Sequence, residues 1–414
     1  MNFKALTLLA LMISMLWCMD RPGASWAADY KLQPSFSISQ EYNDNIFLSG
    51  TNRREDFITG LTPGLRFTLT DPALSADIAA SYTHRIYAHN TKQNDNPFSL
   101  NAITRLQVLK DTLYLEVSDV YARVSRDTTR DYTQESSFIN QTDSNTLTVH
   151  PYLVLRPSPL LTLTAGYKFI DIWYKDPASI DKRDHVGYLQ AQYEAMTNLL
   201  LTGGYTITRE EATTFNFWRH EISFGPKYIY AKDSFIALAL GNTWVDYDKR
   251  ASHSNIFLSG GVTHAFDTLV VSLTAQQKYQ DNPDSTPRRV NAYALNVQKL
   301  FPRTVLTGGV YLNKNYLTEL NKIDTQTHGA RAGLKYELTP LMTAGCDLTL
   351  EKIERRIGVE SNTKRFLLSL PVTYLLTQKI SMTANYSFTN LSTPETTIDN
   401  YYNNRFVVSA TANF

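Results

Sequence analysis

Cysteine is almost missing from this chain: its 414 residues include only Cys18 and Cys346, so no disulfide framework can hold it together. An excess of charge of one sign is also missing. Forty basic residues face 39 acidic ones, a net charge of +1, which gives no overall pull towards nucleic acid; any electrostatic role must be local. No stretch approaches the ~20 consecutive apolar residues that a spanning helix needs, and no long i, i+3, i+4, i+7 stripe of apolar residues occurs. The chain does contain 25 Tyr and 19 Phe, with 43% hydrophobic and only 19% charged residues. That balance excludes a disordered chain and a coiled coil.

The first 28 residues have their own pattern. Lys4 precedes an apolar stretch from Ala5 to Met19, and the segment closes on Ala24-Ser25-Trp26-Ala27-Ala28. A short apolar run with small residues at the cleavage positions predicts a secretory signal, 1–27, cut after Ala27. Asp20, Arg21 and Pro22 stop any helix too early for a retained anchor. Trp17 is too bulky for the position before a lipidated cysteine. The expected mature chain, 28–414, is a single domain with Cys346 as its lone thiol.

Period-two alternation runs through that whole mature chain. Ile380, Met382, Ala384, Tyr386 and Phe388 alternate with Ser381, Thr383, Asn385 and Ser387, and Met342, Ala344, Cys346, Leu348 and Leu350 alternate with Thr343, Asp347, Thr349 and Glu351. Thr, Tyr, Val and Leu in this order are strand residues with one apolar face. The connections also alternate in kind. Tight turns at Asp71-Pro72, Lys110-Asp111, Thr197-Asn198, Lys232-Asp233, Phe266-Asp267 and Thr377-Gln378 interleave with long polar stretches such as 43–54, 127–141, 281–288 and 392–400. Short turns on one side and long loops on the other predict an all-β transmembrane antiparallel up-and-down barrel of about 20 strands, or about 18 if the Phe266-Asp267 turn is misread. A soluble sandwich would have shorter strands and split into several domains.

The polar faces of these strands are then the candidate pore lining. They carry Arg66, Arg85, Arg105, Lys168, Lys227, Arg331, Lys335, Arg365 and Lys379 against Glu41, Asp77, Glu116, Glu337, Asp347 and Glu351. Nine cations against six anions predict at most a mild preference for anions. Part of this set is also expected to act as cross-strand pairs that stiffen the wall. Aromatics near strand ends, among them Tyr167, Trp173, Trp218, Tyr230 and Trp244, suit interfacial girdles. One strand changes phase: Leu113, Leu115 and Val117 are odd-numbered, Val120, Ala122 and Val124 even, which predicts a β-bulge near Ser118 or Asp119. About 20 strands enclose more space than side chains fill, and no segment is large enough for a plug domain, so an open or loop-constricted lumen is expected.

Catalysis is not expected, and neither a cofactor nor a metal site is read from the sequence. The eight histidines are scattered, with no zinc or nucleophile-elbow motif. His84 near Ser81, and His253 between Ser252 and Ser254, are the only triad fragments, and the run Asn43-Asp44-Asn45 lacks the other ligands of a calcium loop.

Two segments carry resemblances. The last strand runs to Phe414 with apolar Phe406, Val408, Ala410 and Ala412, and is similar to the C-terminal strand that the outer-membrane assembly machinery recognises. Tyr42-Asn43-Asp44-Asn45-Ile46-Phe47, followed by Asp56-Phe57-Ile58 and Leu61-Thr62-Pro63-Gly64-Leu65, resembles the opening hairpin of a family of outer-membrane β-barrel porins. Some members of that family are encoded beside exopolysaccharide and exosortase (PEP-CTERM) systems. The resemblance implies a pore for hydrophilic solutes or for export of an exopolysaccharide. Its implied partners are outer-membrane lipid, the assembly machinery and polysaccharide-export components. A non-conducting surface scaffold and an outer-membrane hydrolase are the alternatives.

Overall fold

Alternation has its expected consequence. In a computed structural model of the chain, residues 29–414 are described apart from 128–131, 133–134, 137, 285–286, 359 and 395–399; the expected leader, 1–27, lies outside the described residues. Among the described residues twenty-one strand segments form one antiparallel sheet, in which neighbours in sequence pair except around the short segment His84–Tyr87, since Leu74–Tyr82 pairs directly with Phe98–Leu109. Leu74–Tyr82 and His84–Tyr87 run along the same neighbour, Asp56–Thr70, and count as one strand interrupted at Thr83, which leaves 20. The first strand, Asp29–Asn43, pairs with the last, Tyr401–Asn413, from Ser35↔Asn413 to Asn43↔Arg405, so the sheet closes on itself. The barrel has no free lateral edge where those two strands meet, as burial in hydrocarbon demands.

Strand ends show how the short turns are made. Asp111 and Asp233 each adopt a φ of 55°, the left-handed conformation that a two-residue hairpin turn needs and that Asp tolerates. The outward face is apolar: Phe36, Ile38, Leu65, Leu189, Phe224, Leu240, Leu258, Leu273, Val310 and Leu350 are all exposed there. The buried apolar clusters are few, and all lie near the long-loop end of the barrel. Burial in this molecule therefore marks where loops press on the inner wall, not a central core.

The bulge expected near Ser118 and Asp119 does not form. The strand Leu113–Ser125 keeps an unbroken register with Gln141–Ser158, from Leu113↔Leu153 to Ser125↔Gln141. Asp119 thus shares a face with Leu113, Leu115 and Val117. It is hidden there rather than displaced, its Oδ1 accepting a 2.5 Å hydrogen bond from Asn145. With the register unbroken, Val120, Ala122 and Val124 lie on the opposite face from Leu113, Leu115 and Val117, and Asp119 is a satisfied buried group in the outer phase.

Candidate functional site

Two elements of the long-loop end fold into the barrel. The first is the connection between Leu113–Ser125 and Gln141–Ser158. It runs along the inner wall past the start of the chain: Phe138 packs on Phe47 and Tyr87, while Tyr132 and Ile139 pack on Leu48, Leu391 and Tyr401. At its far point the Glu135 carboxylate, fully buried, meets Arg365 at 2.6 Å and accepts a hydrogen bond from Tyr401. Arg365 lies on the strand Ser361–Leu375, well away around the barrel, and also holds Glu351 at 2.9 Å. Glu351 in turn accepts a hydrogen bond from Tyr311, whose ring lies across Gly329; any side chain at that glycine would collide with the ring. Asp127, in the same connection, reaches Arg355 at 3.4 Å.

The second element is a hairpin made by Leu269–Gln280 and Arg288–Leu300. Its lower half belongs to the wall, where Leu269–Gln280 pairs with His253–Ala265 from Ala265↔Val270 up to Gly260↔Ala275. Above Ala275 that pairing ends. The Gln277 side chain accepts from Asn255 at 2.7 Å and donates to Thr243 at 3.3 Å, and the Tyr279 ring lies 4.1 Å from the Arg219 guanidinium. Thr243 and Arg219 point inward, because their neighbours Trp244, Trp218 and Leu240 are the exposed outer residues. Above Ala275 the strand Leu269–Gln280 has left its neighbour His253–Ala265 and lies against the inner face of the strands Asn216–Ala231 and Ser234–Tyr247. Arg288–Leu300 stays paired with Thr304–Leu317 along its whole length, from Arg288↔Leu317 to Leu300↔Val305, so the sheet turns inward at this seam. Ile256 and Leu258, deserted by their neighbour strand, are 75% and 64% exposed.

The tip of the hairpin is fastened farther round. The Lys182 ammonium donates to the Asn282 carbonyl at 2.8 Å, and the Ile180 amide to the Pro283 carbonyl at 2.6 Å. Arg126 joins the two inward elements, pairing with Asp284 at 3.1 Å and Asp176 at 2.9 Å. Under the hairpin tip, Asp184, Glu210 and Asp281 bring carboxylate oxygens within 4.8 Å of one another. Above, Arg250 and Glu319 form an ion pair between two further loops. The Asp248 carboxyl, in the loop beside them, is held below its ordinary range by two hydrogen bonds from Arg209.

The expected pore-lining residues fall into groups. Arg66 meets Asp77 at 2.6 Å, Arg105 meets Glu116 at 2.7 Å, and Arg85 meets Asp95 at 3.5 Å. Arg331 donates to Asn296 at 2.5 Å, and Glu41 accepts two hydrogen bonds from Arg405 at 2.7 Å each. Lys168 and Lys227 have aromatic neighbours instead, Tyr188 at 5.7 Å and Phe235 at 4.4 Å. Lys335, Glu337 and Asp347 have no ion pair among the described residues. Lys379 sits in the short turn before Ile380–Ser392 rather than on the wall. Phe414 follows the last strand, its amide bonded to the Pro34 carbonyl at 2.9 Å.

Three outward histidines are each capped by a tyrosine hydroxyl: His185 by Tyr167 at 2.6 Å, His220 by Tyr205 at 2.7 Å and His264 by Tyr230 at 3.0 Å. Such pairs satisfy the ring nitrogens on a face with little water. The triad fragments do not converge: His84 shares its face with Tyr82, opposite Ser81, and bonds Asn96 at 2.5 Å, while Ser252 bonds Asp246.

A closed, even-numbered, up-and-down barrel with an apolar exterior and a polar interior is the architecture of outer-membrane porins and receptors, and the cell outer membrane is the place of this chain. Comparison with solved structures agrees on the fold. The siderophore receptor PirA from Pseudomonas aeruginosa superposes with a TM-score of 0.52 at 11% identity, over 95% of this chain and 81% of that one. The ferric enterobactin receptor PfeA from the same organism gives 0.52 at 10% identity, over 93% and 80%. The outer membrane protein OpdK, also from that organism, gives 0.44 at 9% identity over 93% and 99%, too loose a fit to weigh. At these identities the likeness is one of fold alone. No family model and no curated protein matches the sequence.

Proposed function

We propose that the protein is a passive pore for hydrophilic solutes, narrowed at its outer mouth by its own two inward elements. The observation that carries this reading is the Glu135–Arg365 contact, which holds the 126–140 connection on the far inner wall. A loop fixed inside a barrel of 20 strands, which is otherwise too wide for side chains to fill, sets the size of what passes without a separate plug. Single-channel conductance of the refolded protein in planar bilayers tests the pore; folded protein that forms no channels sinks it and favours the scaffold reading.

The resemblance at Tyr42–Phe47 supports a second cargo, an exopolysaccharide chain leaving the cell. Block of the ionic current by added polysaccharide, in a manner that depends on chain length, is the outcome this version requires. The bonded states of His84 and Ser252 support a role outside catalysis. Esterase activity that vanishes in His84→Ala or His253→Ala would reverse that view.

A further inference from the structure

We infer that Asp184, Glu210 and Asp281 form a binding site for a divalent cation, of the calcium type, that fastens the inward hairpin to the wall. Asp184 and Glu210 stand directly opposite each other on Lys182–Met196 and Leu199–Ala212, both inward, and Asp281 comes to them from the hairpin tip. Their ligand oxygens lie within 4.8 Å of one another, so a point equidistant from all three is at most about 2.8 Å from each, a few tenths of an ångström beyond the calcium–oxygen range of about 2.3–2.6 Å. Small side-chain rotations close that gap and let a single ion at the centre touch all three.

Two further facts point to a ligand. Glu210 is only 1% exposed, and its Oε1 has no hydrogen-bond donor; neither has the buried Oδ1 of Asp184. Adjacent buried carboxylates without partners are costly unless something positive joins them. Lys182 is the cation ion-paired to this cluster among the described residues, at 3.7 Å from Asp281, and its ammonium is already bonded to the Asn282 carbonyl. Three carboxylates and one ammonium leave a charge of −2, the complement of one divalent ion. Oxygen-only donors drawn from three separate elements suit calcium, which accepts flexible geometry and six to eight oxygens. Water at the lumen side of Asp281 would complete the shell. The structural consequence rests on the constriction proposed above, since the ion would tie the hairpin tip to the wall it leans on; the binding itself does not.

The test is calcium titration of EDTA-stripped, folded protein in detergent by calorimetry. One saturable site per chain is expected, weakened at least tenfold by Glu210→Gln and by Asp281→Asn, and unchanged by Asp267→Asn in a short turn at the opposite end. Heat-modifiable gel mobility confirms folding of each variant, and Asp281, on the half-exposed side, covers the case in which Glu210→Gln does not fold. Absence of binding up to about 10 mM calcium, beyond the weakest extracellular sites, or binding indifferent to both variants, would overturn the proposal. Since no membrane is involved, a failure here leaves the pore standing, and a failure to conduct leaves the site standing.

Discussion

Glu135 and Arg365, 230 residues apart in sequence, meet at 2.6 Å inside the barrel, both almost wholly shielded from water. The pair joins a loop to a wall strand that it neither precedes nor follows. Arg365 serves Glu351 at the same time, so its guanidinium links loop, wall and the Tyr311 hydroxyl in one network. Such a network rigidifies only while every member is satisfied.

Removing the arginine should release the loop. Arg365→Ala leaves two carboxylates facing each other in a dry site, a loss of about 3–5 kcal/mol for a buried pair broken on one side. Unfolding of the detergent-solubilised protein should shift to lower denaturant, and the single-channel current should rise and grow noisier. Unchanged current in a folded variant would mean that the loop does not limit flow. Glu135→Gln should be milder, because Arg365 keeps Glu351.

The inward hairpin makes a geometric prediction. Asn255 and Gln277 have side chains 2.7 Å apart, although their strands no longer pair at that height. Asn255→Cys with Gln277→Cys should therefore cross-link on mild oxidation, visible as a changed mobility on a non-reducing gel. A hairpin that stayed within the wall would still place these strands side by side, so Thr243→Cys with Gln277→Cys is the discriminating pair. It links across one strand only if the hairpin lies inside.

How much of this could be seen in the sequence follows from what alternation measures. It reports which residues share a face, and from that come the closed barrel and its strand number. Alternation does not report where a face points once a strand leaves the sheet. Leu269, Val271, Leu273 and Ala275 are apolar, yet Gln277 and Tyr279 continue the same phase, as Asn291 and Arg289 do after Tyr293 and Leu295. That change of polarity without a change of phase is the signal of the hairpin turning inward, and it was legible in principle. The apolar run Val120, Ala122 and Val124 has the opposite lesson: apolar residues can change face with no slip of register, with Asp119 left in the outer phase and satisfied by Asn145. Glu135 gave no signal at all, since it lies in a polar loop and acquires meaning only through Arg365.

The C-terminal aromatic is a prediction about assembly rather than stability. Phe414 is 66% exposed and contributes a single amide hydrogen bond to Pro34. Its deletion should hardly move the unfolding midpoint of protein refolded in detergent. In cells, however, the amount of folded barrel in the outer membrane should fall severely if the residue is read by the assembly machinery. Equal amounts with and without Phe414 would dismiss that role.

Ion preference follows from which lumen charges remain unpaired. Arg66, Arg85, Arg105 and Arg365 each have a carboxylate partner, so their fields are largely cancelled a few ångströms away. Lys168 and Lys227, beside Tyr188 and Phe235, have no such partner among the described residues and project the stronger positive field into the lumen. The reversal potential in a salt gradient should show a mild anion preference that fades as salt rises and screening shortens. Lys168→Glu combined with Lys227→Glu changes the lumen charge by −4 and should turn that preference towards cations, because rings of side-chain charge bias the ions admitted. Arg66→Ala with Asp77→Ala removes a neutral pair and should leave the reversal potential where it was. If the neutral-pair variant moved it as far as the lysine variant, selectivity would belong to the paired arginines, and the unpaired lysines would be bystanders.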